Sequence, residues 1–138
     1  LKGLGLLDIH NSGELPLSKR LKILIVEDDD ISAKLLSMAL AKVSVDIVRA
    51  VNGVEAVEFF RAHPDIDLIL MDLKLPTMDG FEAVRRIRQF NRKVPIIAQT
   101  AYGLHGDREK ALQAGCDDYI AKPIKRKELL ALVEKYCG

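Results

Sequence analysis

No apolar run in the sequence approaches the roughly 18 residues of a membrane-crossing helix, and no signal-peptide pattern is visible. An excess of charge is missing too: 21 Lys and Arg stand against 20 Asp and Glu, for a formal net charge of +1. That balance excludes a disordered, highly charged tail and gives no support to nucleic-acid binding through bulk positive charge. Cysteine is scarce. Cys116 and Cys137 make no metal spacing and have no histidine nearby, so they read as reduced thiols in a cytosolic setting. There is no P-loop lysine motif, internal repeat or low-complexity tract. What remains is a chain of 138 residues, 49% of them hydrophobic, long enough for one ordinary domain with a real core.

From Leu21 onward, short apolar runs alternate with amphipathic stretches. The runs are Lys22–Val26, Val45–Ala50, Asp67–Met71, Pro95–Thr100 and Asp118–Lys122. Most are continuous rather than alternating, as in parallel strands covered on both faces. The first helical pattern, with Asp30 as N-cap, places Ile31, Leu35, Met38 and Ala39 on one face. Asn52 caps the second, which carries Val54 and Val57, and the third carries Phe81, Val84 and Ile87. The fourth, roughly His105 to Ala114, has the weakest apolar side (Leu104, Ala111, Leu112) and ends at Gly115. Leu129, Leu132, Val133 and Tyr136 line the last. Five strands alternating with five helices predict an α/β fold, a doubly wound parallel sheet built from right-handed βαβ units. Residues 1–20, with three glycines, a proline and the cluster HNSGE, read as a linker or N-terminal extension ahead of a domain at 21–138.

In such sheets, chemistry gathers at the carboxyl ends of the strands. The third strand runs straight into a carboxylate, Asp72. The first ends on Glu27, Asp28 and Asp29, the fourth on Gln99, Thr100 and Ala101, and the fifth on Lys122 and Pro123. Crowded carboxylates raise one another's pKa unless a cation neutralises them. An all-oxygen donor set suits a hard divalent ion, Mg²⁺ above all. An ionised aspartate can act as a nucleophile toward phosphorus, given positive charge and donors for the equatorial oxygens. Mg²⁺, the Lys122 ammonium and the Thr100 hydroxyl would supply these. Asp72 therefore reads as a phosphoacceptor.

These residues, in this order, resemble the receiver (response-regulator) domains of two-component and phosphorelay signalling. The pattern consists of Glu27-Asp28, then Asp72 with Pro76 and Asp79-Gly80, then Thr100-Ala101, then Lys122-Pro123 within AGCDDYIAKPI; it covers about residues 21–138. The resemblance implies a flavodoxin-like (βα)5 fold with strand order 2-1-3-4-5. Asp72 would take phosphate from a phosphohistidine on a histidine kinase or histidine phosphotransfer domain. Asp28, Asp72 and the Lys74 backbone carbonyl would ligate Mg²⁺, with Glu27 acting through a water. Thr100 and Lys122 would bind the phosphoryl oxygens, and Thr100 with Tyr119 would switch the surface of the fourth helix, fifth strand and fifth helix. The Lys122-Pro123 bond would be cis. Lys74 and Tyr102, flanking the path of an attacking water, would slow hydrolysis of the phosphorylated state. The domain would promote its own phosphorylation and dephosphorylation. The non-Met start suggests excision from a hybrid histidine kinase, on the cytoplasmic side of a membrane-anchored sensor, with no nucleic-acid or membrane contact by the domain itself.

Other readings carry less. Phosphatases of the haloacid-dehalogenase type need a second Asp two residues on, where this chain has Lys74. A flavodoxin-like cofactor binder needs an anion loop after the first strand, where EDDD would repel phosphate. A receiver fold acting only as a docking module, without phosphorylation, is the alternative function. Asp29 and Asp30 read as capping or solvated acids, Gly80 as a backbone requirement, and the basic run Arg85–Lys93 as a solvated helix face.

Overall fold

A computed structural model describes residues 20–41, 43, 45–100 and 106–138; the expected linker apart from Arg20 and the segment 101–105, with Tyr102, lie outside the described residues. The chain forms β1 (Leu21–Val26), α1 (Asp30–Ala39), β2 (Val45–Ala50), α2 (Gly53–Ala62), β3 (Leu68–Asp72), α3 (Gly80–Phe90), β4 (Ile96–Thr100), α4 (Asp107–Ala114), β5 (Asp118–Ala121) and α5 (Arg126–Cys137). The five strands are all parallel, in the order β2-β1-β3-β4-β5. This is the doubly wound, flavodoxin-like sheet that the alternating pattern predicts.

Central β3 explains the continuous apolar runs. Leu68 and Leu70 face one core with Ile23, Ile25, Leu36 and Leu129, while Ile69 and Met71 face the other with Phe60, Val84 and Ile87. Both faces are sealed, so no position on the strand can be polar until its end. Register then sets the functional edge: Val26 pairs with Met71, Asp72 with Gln99, and Thr100 with Ala121. Glu27, Asp72, Thr100 and Lys122 thus finish neighbouring strands at one end of the sheet.

The first three helices start on side-chain caps. Asn52 accepts from the Glu55 amide and Asp79 from the Glu82 amide. At α1 the expectation fails by one residue: Asp29 is the N-cap, accepting from the Ser32 amide at 2.8 Å. Asp30 instead opens the helix and pairs with Arg49 at 2.8 Å.

Of the four residues expected on the apolar face of α1, only Ala39 packs against the core. Ala33, Leu36 and Leu40 are buried, whereas Ile31, Leu35 and Met38 are 71%, 59% and 60% exposed. Both sets have helical spacing, so periodicity alone cannot rank them. Leu104 is outside the described residues; of the other two residues expected on the fourth helix's apolar side, Ala111 is buried and Leu112 is 43% exposed. Arg88 departs from the solvated basic face, because its guanidinium donates to the Gly115 carbonyl at 2.8 Å and to Asp117 at 2.9 Å. Neither cysteine is in a disulfide, and burial pushes the Cys116 thiol up to about 12, which leaves it inert.

The α1 assignment can be checked by denaturation. Leu36→Ala should cost about 2–5 kcal/mol, as a buried leucine does, whereas Leu35→Ala should change stability by less than about 0.5 kcal/mol. Equal losses at the two positions would reverse the assignment.

Candidate functional site

Asp72 ends β3 and is only 5% exposed. Its Oδ1 accepts from the Lys74 amide at 3.0 Å, and its Oδ2 faces the Lys122 ammonium at 3.3 Å. Glu27, 1% exposed, accepts from the same ammonium at 2.8 Å and from the Asp29 amide at 3.2 Å. Asp28 joins them from an exposed position. Carboxylate oxygens of Glu27, Asp28 and Asp72 lie within 4.8 Å of one another. The oxygen-only donor set and its surplus of negative charge fit a hard divalent cation such as Mg²⁺.

The electrostatics follow from one ammonium serving two buried acids. Burial pushes Glu27 upward; the bond to Lys122 opposes this, and nearby Asp72 adds to the rise, so the net shift is up. Burial alone would lower Lys122, but Glu27 and Asp72 together outweigh it and raise the ammonium's pKa. The two shifts are compatible: the ammonium has more than enough counter-charge, while Glu27 has too little.

One expected residue is engaged elsewhere in this structure. Thr100 is buried at the end of β4, but its hydroxyl donates to Asp107 Oδ2 at 3.1 Å, so in this state it is spent on the first turn of α4. Tyr119 is half-buried against the core that α4 covers. The Lys74 side chain is exposed. The Lys122-Pro123 bond is cis, as expected.

Sequence reasoning missed the supports. Arg49, at the end of β2, donates through Nε and Nη2 to the Glu27 carbonyl at 3.1 and 3.0 Å while Nη1 holds Asp30. This fork fixes the backbone of the acidic loop from the sheet edge. A lone arginine within an apolar strand was the available signal. Gly80 is required by close approach rather than by dihedral angle. A Cβ there would stand 2.8 Å from the Leu73 Cα and against the Asp72 carbonyl. The bare backbone lets α3 start directly on the segment that carries Asp72.

The sequence model for the response regulator receiver domain matches residues 23–134. The chain belongs to that family. It is 39% identical over 124 residues to hybrid signal transduction histidine kinase G of Dictyostelium discoideum, a match spanning 86% of this chain but only 4% of that protein. The receiver domain of sensor histidine kinase PA1611 from Pseudomonas aeruginosa, solved with a magnesium ion in its active-site cleft, superposes with a TM-score of 0.80. That pair is 40% identical, and the match covers 87% of this chain and 99% of the other. The receiver domain of Ssk1 from Saccharomyces cerevisiae, solved with the histidine phosphotransfer protein Ypd1, gives a TM-score of 0.79 at 34% identity, covering 86% and 89%.

The shared ammonium makes a prediction. In metal-free buffer, Lys122→Ala should lower stability by about 1–2 kcal/mol, a buried-pair penalty discounted for the partly open lysine. The loss should shrink as the pH falls into the ordinary carboxylate range. Glu27, whose folded pKa is raised, then takes up its proton and the charge penalty disappears. Urea midpoints with and without Mg²⁺ measure it, and a deficit that neither Mg²⁺ nor acid reduces would show that charge neutralisation is not what Lys122 provides.

Proposed function

We propose that this domain accepts a phosphoryl group from a partner's phosphohistidine onto Asp72 and answers by shifting the surface formed by α4, β5 and α5. The observation that carries the reading is the Asp72 carboxylate at the end of a sealed strand, clustered with two further acids and one ammonium. A bound Mg²⁺, held by Asp28, Asp72 and the Lys74 carbonyl with Glu27 behind them, would neutralise the acids and screen the charge on the phosphoryl group. The chain's own groups do the rest. An Asp72 oxygen attacks phosphorus as the phosphorus–nitrogen bond breaks, and the imidazole leaves with the electron pair. Lys122 turns from the acids to an equatorial oxygen, and the Thr100 hydroxyl supplies a second donor.

The Thr100–Asp107 bond gives the switch a physical form. Recruiting Thr100 to the phosphoryl group releases Asp107, and with it the first turn of α4. Among its described residues α4 buries only Ala111 and Ala114, and Gly106 gives it no side-chain cap. Tyr119 lies half-buried against the same core and can follow. The partner's approach has a candidate surface as well. Ile31, Leu35 and Met38 expose an apolar stripe on α1 beside the acidic loop, suited to a helical histidine phosphotransfer domain. The cocrystallised yeast relative supports this class of partner. Persistence of the phosphate would depend on Lys74 and Tyr102.

Acetyl phosphate with Mg²⁺ should label the wild type on Asp72, as read by mass spectrometry, and Asp72→Asn should remove the label. Label on another residue, or label surviving excess EDTA, would overturn the assignment. A chain that stays unlabelled but still binds a histidine phosphotransfer protein would be a docking module instead.

The α1 stripe separates chemistry from docking. Leu35→Asp should slow transfer from a phosphorylated histidine phosphotransfer protein at least about tenfold while leaving acetyl phosphate labelling near wild type. Equal slowing of both reactions would place Leu35 in the fold or the chemistry rather than in recognition.

A further inference from the structure

On the α1–α5 side of the sheet lies a cavity of about 310 Å³ that phosphoryl transfer does not use. Its walls are mostly aliphatic, with Leu35, Leu36 and Ala39 from α1 and Pro123 and Ile124 from the segment joining β5 to α5, and Ser32 and Lys122 add polar lining. Gln99 lies at its floor and is 0% exposed, yet neither Oε1 nor Nε2 has a hydrogen-bond partner. Arg126 lines the same cavity, and its Nη2 is also buried and unpartnered. Buried amides and guanidinium groups are normally paired, and a leucine would fill this strand position without leaving polar atoms unpaired. Two unpartnered groups of complementary kinds beside one aliphatic cavity point to a ligand.

We propose that this cavity binds a small carboxylate with a branched aliphatic body and an O–H or N–H donor next to the carboxylate. The unpaired atoms set the chemistry. Arg126 Nη2 and Gln99 Nε2 donate to the carboxylate oxygens, and Gln99 Oε1 accepts from the adjacent donor. The aliphatic walls take the body. Lys125 and Lys127 flank Arg126 and are exposed, so the rim favours an anion. The volume is at the low end of the roughly 300–1,000 Å³ typical of small-molecule sites, which limits the ligand's size. Solvent does not reach the amide in this conformation. The bounding side chains of Leu35, 59% exposed, and of Arg126, half-buried, are held at the surface and turn to admit the ligand.

Occupancy would be felt at the acidic edge. Gln99 is the register partner of Asp72, and Lys122 lines the cavity while also pairing with Asp72. The site itself does not require Asp72 to be phosphorylated.

The test uses unphosphorylated, isotope-labelled protein and two probes, 2-hydroxy-4-methylpentanoate and 4-methylpentanoate, followed by NMR. The hydroxy acid should shift the Gln99 side-chain amide and the Leu35 and Ile124 methyls saturably, with a Kd of about 1–10 mM for so small a ligand. The acid lacking the hydroxyl should bind about tenfold more weakly. Gln99→Leu should erase the preference between the probes, and Arg126→Met should weaken both while preserving the backbone spectrum. Shifts that do not saturate, or that persist unchanged in both variants, overturn the proposal. So does a Gln99 amide that contacts only water and ignores both probes.

Discussion

Glu27 and Asp72 are carboxylates almost closed to water, and one ammonium, Lys122, stands between them at 2.8 and 3.3 Å. Three strands must end in the right register for that contact to exist. Lys122 is fixed where its amide donates to the Thr100 carbonyl at 2.7 Å, and Glu27 where its amide donates to the Ala50 carbonyl at 3.0 Å. The sheet therefore holds the charges in place, and the charges make the strand ends costly to bury without a cation. An acidic cluster with too little counter-charge is poised to gain from any added cation. The apolar sheet and the polar edge are one design problem: the core can be sealed because its polar groups are pushed to this end.

Much of that was legible in the chain. Continuous apolar runs ending in Asp72, Glu27 and Lys122 marked parallel strands and their functional edge, because a strand buried on both faces cannot hide a carboxylate anywhere else. Gly115 and Asn52 ended and began helices where local chemistry requires them. What the sequence left ambiguous were choices settled by tertiary contact. In α1, Leu35 and Leu36 are adjacent leucines on different helix faces, and the sheet's demand for Leu36 decides between them. Asp29 and Asp30 both suit an N-cap, and Arg49, 19 positions further along the chain, claims Asp30.

Gln99 is a different kind of failure. Strand position and neighbours made it look like one more residue at the polar edge, yet its side chain is buried on the α1–α5 side, where the strand would ordinarily place an aliphatic group. Each unsatisfied buried polar group costs on the order of 1–3 kcal/mol. Its presence is therefore a departure from what stability alone would choose: among the described residues, the other buried polar residues, Glu27, Asp72 and Thr100, all have side-chain partners. Such departures are where function should be sought.

Light packing also lies where the edge can act on it. The cores around β3 are close-packed, so a small displacement there meets steep resistance. Helix α4 has eight residues, buries two alanines, and begins on Gly106 without a side-chain cap. Among the described residues, the link between its first turn and the site is the Thr100–Asp107 hydrogen bond, worth about 1 kcal/mol net, whereas its far end is gripped by Arg88 through the Gly115 carbonyl. Under the proposed phosphorylation, a phosphoryl group that draws Thr100 away would release that bond at the helix's near end, while the Arg88 contact would keep its far end seated. On this reading the response is a hinge about the Gly115 end of α4. Neighbouring α3 stays put, because it is pinned by Val84, Ile87 and the close approach at Gly80.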